Sequence, residues 1–211
     1  MVSMRFLLRG ALGLALAVAL QAAPIQWKAE DGGNDNWYEV ITGNIFAPFT
    51  YEQATAGAQG SIHLGLTGYL ATITSAAEQQ FILNNFGFAY FFGGVATSFI
   101  GATDLVTEGS YIWGDGPEAG QAISYAPWLA GHPVGGPGYE GFHYVLLTVL
   151  SNGDNGWIVN PNGAGNYVVE YGDGIPDTAG SDVPEPATVL LAAAGLAAGL
   201  WRRRRAGGAT A

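Results

Sequence analysis

Between Trp113 and the apolar run Tyr144–Leu150, the chain passes through residues 114–141, a stretch rich in Gly and Pro with little period-two or helical patterning. A loop of that length inside a compact domain is, as a rule, either functional or disordered. It constrains the fold more than any other feature, because every rigid element must come from the segments on either side.

Those segments carry clear local signals. "NWYEVI" (residues 36–41) reads as a short opening strand, and "TYEQATAGAQG" (50–60) has helical spacing, with Tyr51, Ala54 and Ala58 on one face and Gly60 as a stop. "YLATIT" (69–74) alternates, grouping Leu70 with Thr72 and Thr74 and turning Ala71 and Ile73 the other way. "SAAEQQFILNNFG" (75–87) opens with Ser75 and Glu78 at capping-box spacing, turns Phe81 and Ile82 inward and ends at Gly87. "SFIGATD" and "GSYIWGDG" read as short strands separated by a turn. "YVLLTVL" (144–150) is a continuous apolar strand with both faces covered, and "NYVVEYG" (166–172) closes the unit. Two helices beside short antiparallel strands make the class α+β.

The ends differ from the middle. Arg5 and Arg9 flank the start of the apolar run Gly10–Leu20, and the small residues Ala19, Ala22 and Ala23 follow, the layout of a secretory signal peptide over residues 1–23. The alternative, a membrane anchor, needs a longer run. Residues 24–172 form one domain and 173–183 a polar linker. Residues 184–211 hold an apolar stretch stopped by Arg202–Arg205, with Ala187–Trp201 forming a helix of about 22 Å at 1.5 Å per residue. That falls short of a hydrocarbon core of about 30 Å. The arginines would keep this end in the cytoplasm and leave the domain outside.

Charge narrows the partners. Lys28 is the only cation between the two ends, against seventeen carboxylates from Glu30 to Glu185, a formal net charge of −16. Polyphosphates are held by Lys and Arg displacing counterions, so nucleic acid is excluded. Divalent cations and neutral, polyhydroxylated ligands suit such a surface. The chain has no Cys. Its stability therefore rests on a core, which a domain of this size can build, and thiol catalysis and thiolate metal sites are ruled out.

Taken in order, "YEQATAGAQG", "GYLATITSAAEQQFI", "FIGATD", "EGSYIWGDGPEAG", "YAPWLAGHP", "YEGFHYVLL", "NGW" and "YVVEYG" resemble the C-type lectin-like domain from about Tyr51 to Gly172. That resemblance implies two helices packed on short sheets, with the ligand met on a long loop. The C-terminus resembles a PEP-CTERM sorting tail through Pro184, Glu185 and Pro186, the apolar run and the basic cluster. It implies a Gram-negative bacterium that makes extracellular polysaccharide, transient anchoring in the inner membrane, cutting by an exosortase and a place at the cell surface or beyond. A permanent tail anchor is the alternative.

Many C-type lectins hold sugar through a loop calcium, whose ligands come from Glu-Pro-Asn or Gln-Pro-Asp, a following Glu, and Trp-Asn-Asp. Here the corresponding positions read His132, Pro133, Val134 and Trp157, Ile158, Val159, and only Glu140 matches. Calcium wants six to eight oxygens, so calcium-bridged sugar binding at that place is not expected. Pro133 stands where the family often has a cis peptide. His132 could meet a metal with His143 and Glu140, but a loop histidine beside a turn proline is the plainer reading. Tyr139 is the aromatic best placed for an exposed contact, while Trp113 and Trp128 fit packing positions.

A second calcium position of the family joins the start of the second helix to the last strand, and Thr72, Thr74, Glu78 and Glu170 match it. Glu78 could instead serve the capping box, and Glu170 could be the solvent-facing member of a closing strand. The expected activity is non-catalytic binding of extracellular polysaccharide or a surface protein. The alternative is a structural matrix (biofilm) component without a specific ligand. No Ser, His or Asp sits in a nucleophile motif, and no acid–base pair stands out, so an enzyme is not expected.

Overall fold

The computed structural model describes residues 23–44, 46–90 and 93–174. The signal segment up to residue 22, the sorting triplet Pro184–Pro186 and the apolar tail lie outside them. Among the described residues, no helix is long and apolar enough to cross a membrane.

Strands β1 (Ile25–Gln26) and β2 (Trp37–Thr42) precede helix α1 (Tyr51–Gln59). The short strands β3 (Ile62–His63), β4 (Leu66–Thr67) and β5 (Tyr69–Leu70) lead to helix α2 (Ala76–Asn85). Then come β6 (Val95–Thr103), β7 (Ile112–Trp113), β8 (Tyr144–Leu150), β9 (Asn155–Asn160) and β10 (Asn166–Tyr171). The main sheet runs β1-β2-β10-β6-β8-β9, with β5 on β10 and β7 on β6, and β3 pairs with β4 as a separate hairpin. The architecture is α+β, as expected from the sequence. One pairing departs from the antiparallel expectation. β10 returns to the middle of the sheet, antiparallel to β2 and β5 but parallel to β6. Strand β9, which local patterning did not single out, pairs with β8 along its own whole length.

Both faces of this sheet are covered, and period-two alternation divides the strand residues between two cores. Val40, Ile100, Val145, Leu147 and Val168 join Ile73, Ile82, Trp113 and Trp157 on the α2 side. Their neighbours Ile41, Phe99, Leu146, Tyr167 and Val169 join Tyr51, Ala54 and Ala58 of α1 on the other. This explains why "YVLLTVL" reads as unbroken apolar sequence: Tyr144–Thr148 are all buried. The alternation in "YLATIT" holds, with Leu70 in the α1 core and Ala71 and Ile73 in the α2 core, although Leu70, Ala71, Thr72 and Ile73 are each fully buried. With a core on each side, alternation there sorts cores, not core from solvent.

The helix ends follow their side chains. At α1 the box closes: Gln53 N donates to Thr50 Oγ1, and Thr50 N to Gln53 Oε1. At α2 Ser75 Oγ accepts from Glu78 N at 3.1 Å, but the Glu78 carboxylate turns elsewhere. The helix ends at Asn85 with Phe86 as its cap, before Gly87. Ile82 is fully buried, as its spacing predicts, and Phe81 is only half-buried.

Candidate functional site

Three carboxylates from different parts of the chain converge inside the α2 side. Glu78 comes from the first turn of α2, Glu170 from β10 and Glu118 from the long loop, and all are buried. Glu78 Oε2 accepts from Thr74 N at 2.7 Å and Thr74 Oγ1 at 3.1 Å. Its other oxygen faces the hydroxyl of Tyr38 at 2.8 Å. This geometry explains the open capping box: reaching one residue further back puts Glu78 within range of Tyr38. Glu170 Oε2 accepts from Thr72 N at 2.9 Å, and Oε1 from Asn36 Nδ2 at 2.7 Å. The solvent-facing reading of Glu170 is therefore overturned, since β10 lies between β2 and its neighbours β5 and β6 with cores on both faces.

Two hydroxyls link the acids. Tyr38 Oη lies 2.8 Å from Glu78 and 3.2 Å from Glu170, and accepts from Asn34 Nδ2 at 2.7 Å. Thr72 Oγ1 lies 2.8 Å from Glu118 and 3.2 Å from Glu170. Each hydroxyl has one hydrogen, so each can donate to only one of its two acids at a time. Burial pushes the Tyr38 phenol well above its ordinary range, and Glu170 and Glu78 push it further. Thr72, Thr74, Glu78 and Glu170 are thus brought together as the sequence expects, with every threonine donor already directed at a carboxylate. The set is all oxygen, which suits calcium, but it supplies two carboxylates toward a shell of six to eight.

The long loop is pinned at its root. Asp115 accepts from Leu70 N at 3.1 Å and Gln59 Nε2 at 3.0 Å. Trp157, fully buried, takes Trp113, Tyr125 and Trp128 edge-on, with centroids 6.1, 5.6 and 5.9 Å away. Edge-to-face pairs of this kind add about 0.5–1.5 kcal/mol each beyond the area they bury. Trp113 and Trp128 are thus packing residues, as expected. Backbone bonds from Leu129 N to Trp157 O and from Trp157 N to Pro127 O, both 2.9 Å, continue the anchor.

Further along, the His132–Pro133 peptide is cis. His132 Nδ1 accepts from Val159 N at 3.2 Å, and burial pushes its pKa down, so the ring is neutral and that nitrogen is occupied. Tyr139 is 40% exposed, its ring edge-on to Phe142 at 5.2 Å. Glu140 is exposed, and its carboxylate, held low first by the Gly138 N–H, accepts from it with both oxygens at 3.0 Å.

His143 joins neither His132 nor Glu140 in a metal-sized group. Its partners are Asp104 and Glu108, whose oxygens lie 3.0 and 3.6 Å from His143 Nδ1. The candidate ligand atoms of these three residues all lie within 4.8 Å of one another. Asp104 is buried and also accepts from Gly109 N at 2.8 Å, and burial together with the Asp104 charge pushes the Tyr111 phenol upward. Sequence reading missed this trio. Asp104 and Glu108 are visible as carboxylates four apart, but only the pairing of Thr103 with Tyr144 brings His143 beside them.

Comparison with known proteins adds four findings. Residues 182–205 match the PEP-CTERM protein-sorting motif. The chain is 33% identical over 155 residues to halomucin of Haloquadratum walsbyi, 67% of this chain but 2% of that protein. It is also 28% identical over 159 residues to the alpha-N-acetylgalactosamine-specific lectin of Patiria pectinifera, covering 70% of this chain and 86% of the lectin. Among solved structures, the EPNH mutant of CEL-I, a C-type lectin from Cucumaria echinata, superposes with a TM-score of 0.50 at 22% identity. That alignment covers 71% of this chain and 96% of the other.

Proposed function

We propose that this chain, a C-type lectin-like domain with a PEP-CTERM sorting motif, is an exported, non-catalytic binding module whose ligand is extracellular polysaccharide. The sorting motif implies export toward the cell surface and processing by an exosortase. Transient passage through the inner membrane on the C-terminal segment belongs to the same reading. The observation that carries the binding reading is the loop. It is rooted in the Trp157 cluster and ends in an exposed Tyr139 beside a carboxylate held by backbone. A rigid scaffold presenting an adaptable loop is the usual layout of a recognition site. His132, Tyr139 and Glu140 are the residues assigned to the contact. The full chain titrated against purified extracellular polysaccharide should bind saturably, and His132→Ala/Tyr139→Ala/Glu140→Ala should weaken this binding. Salt-dependent adsorption without saturation would instead identify a structural matrix component.

Calcium is assigned to the acidic centre, with Glu78 and Glu170 as carboxylate ligands and Thr72 and Thr74 beside them. Support comes from the side-chain oxygens of these four residues, with Thr72 Oγ1 3.2 Å from Glu170 and Thr74 Oγ1 3.1 Å from Glu78, and from the acidity of the chain. A second cation reading is favoured by Asp104, Glu108 and His143, because their ligand atoms already converge. One imidazole with two carboxylates suits a borderline divalent ion such as zinc better than calcium.

A further inference from the structure

A groove of about 460 Å³ lies between the C-terminal half of α2, the segment that follows it and the turn joining β8 to β9. None of its lining residues belongs to the long loop, the acidic centre or the Asp104 trio. Gln80, Asn84 and Asn155 offer amides there, and Phe88 and Tyr90 offer rings, with Tyr90 49% exposed. Its volume falls in the range of about 300–1,000 Å³ usual for ligand sites.

One wall is held from the core. The buried Trp157 donates through Nε1 to Gln79 Oε1 at 2.9 Å, and Gln79 Nε2 donates to Asn155 Oδ1 at 3.0 Å. Asn155 is therefore oriented before any ligand arrives. Its amide nitrogen has only a long 3.5 Å contact to Gly153 O and remains a donor for the groove.

The chemistry of the lining selects its ligand. Among the described residues, no Lys, Arg, His, Asp or Glu side chain lines the groove, so neither a cation nor an anion finds a counter-charge there. The chain's net negative charge further disfavours anions. Amides match hydroxyl groups in both directions, and an aromatic ring packs on the C–H face of a pyranose. We propose that this groove is a second saccharide subsite, independent of any cation, that takes a neutral sugar unit of a polysaccharide chain. The proposal rests on the reading of the protein as a polysaccharide binder, and extends it to residues that the loop does not share.

The test is affinity electrophoresis of the full chain, with chelator, through gels cast with dextran, galactomannan or laminarin. Wild type should be retarded by at least one of these neutral polymers. Asn84→Ala/Tyr90→Ala, which alters two exposed side chains, should weaken that retardation at least tenfold with an unchanged melting temperature. The loop variant His132→Ala/Tyr139→Ala/Glu140→Ala should be retarded less than wild type but still more than a variant that combines it with Asn84→Ala/Tyr90→Ala. Free migration of the wild type in all three gels, or equal retardation of the groove variant, overturns the proposal. If only the loop variant loses retardation, the loop reading stands and the groove is excluded.

Discussion

Tyr38→Phe removes one oxygen from the middle of the acidic centre and leaves the ring packing intact. Tyr38 is fully buried, and its hydroxyl faces Glu78 at 2.8 Å, Glu170 at 3.2 Å and Asn34 at 2.7 Å. Only one of the two carboxylates receives the hydrogen at any moment. The loss is therefore one charge-assisted bond of about 1.5–3 kcal/mol plus one neutral bond of about 0.5–1.5 kcal/mol. Their combined effect is a destabilisation of about 2–4.5 kcal/mol, because the buried Glu78 oxygen loses its Tyr38 donor. For a domain of this size each kcal/mol moves the melting temperature by about 2–4 °C, so a drop of about 4–18 °C is expected. Thermal melts at neutral pH, followed by near-ultraviolet circular dichroism on the full chain, measure it directly. A shift below 2 °C would refute the view that the hydroxyl holds the acids together. So would a rise, since it would mean that crowding of lone pairs around Tyr38 outweighs the bond.

Two further outcomes follow from the same geometry. If calcium occupies the acidic centre, its addition raises the melting temperature of wild type but not of Glu78→Ala/Glu170→Ala; zinc stabilisation lost in His143→Ala instead assigns a divalent ion to the Asp104 trio, and no shift with either ion removes both cation sites. At alkaline pH the sign is fixed by the phenols. Burial raises Tyr38, Tyr51, Tyr111 and Tyr171 above the ordinary value of about 10, so the folded chain keeps protons that the unfolded chain releases. Their contribution is complete below about pH 10 and is lost as pH rises through the higher folded values. Melting temperature should fall steeply above pH 10, with a shallower slope in Tyr38→Phe, and an identical slope in the two proteins would count against the assignment.

Local signals in the sequence were sufficient for much of the fold. Helical spacing located Tyr51, Ala54 and Ala58, and the continuous apolar run located a strand covered on both faces. Capping spacing found the start of α2 but not the destination of Glu78, because the Tyr38 hydroxyl that draws it away is forty residues distant. Glu170 was ambiguous for a related reason. Alternation with Val169 separates two faces but cannot say that a second core covers the other one. Strand β9 was hidden by its short, polar-ended segment Asn155–Asn160, whose pairing partner β8 defines it. Asp104, Glu108 and His143 needed the β6–β8 register, which only the folded chain provides. The groove beside α2 carries no charged motif, and although Gln80 and Asn84 stand one helical turn apart, nothing in the linear sequence marks Asn155 as their neighbour.

The position of β10 has a mechanical consequence. The strand nearest the C-terminal end of the domain is an interior one, aligned with β2 from Asn166 to Tyr171 and flanked on its other edge by β5 and β6. Tension applied through Gly172 would pull along the strand axis and load these ladders in shear, straining many bonds together instead of peeling them one by one. A domain held by that end would meet drag through a strand paired on both edges.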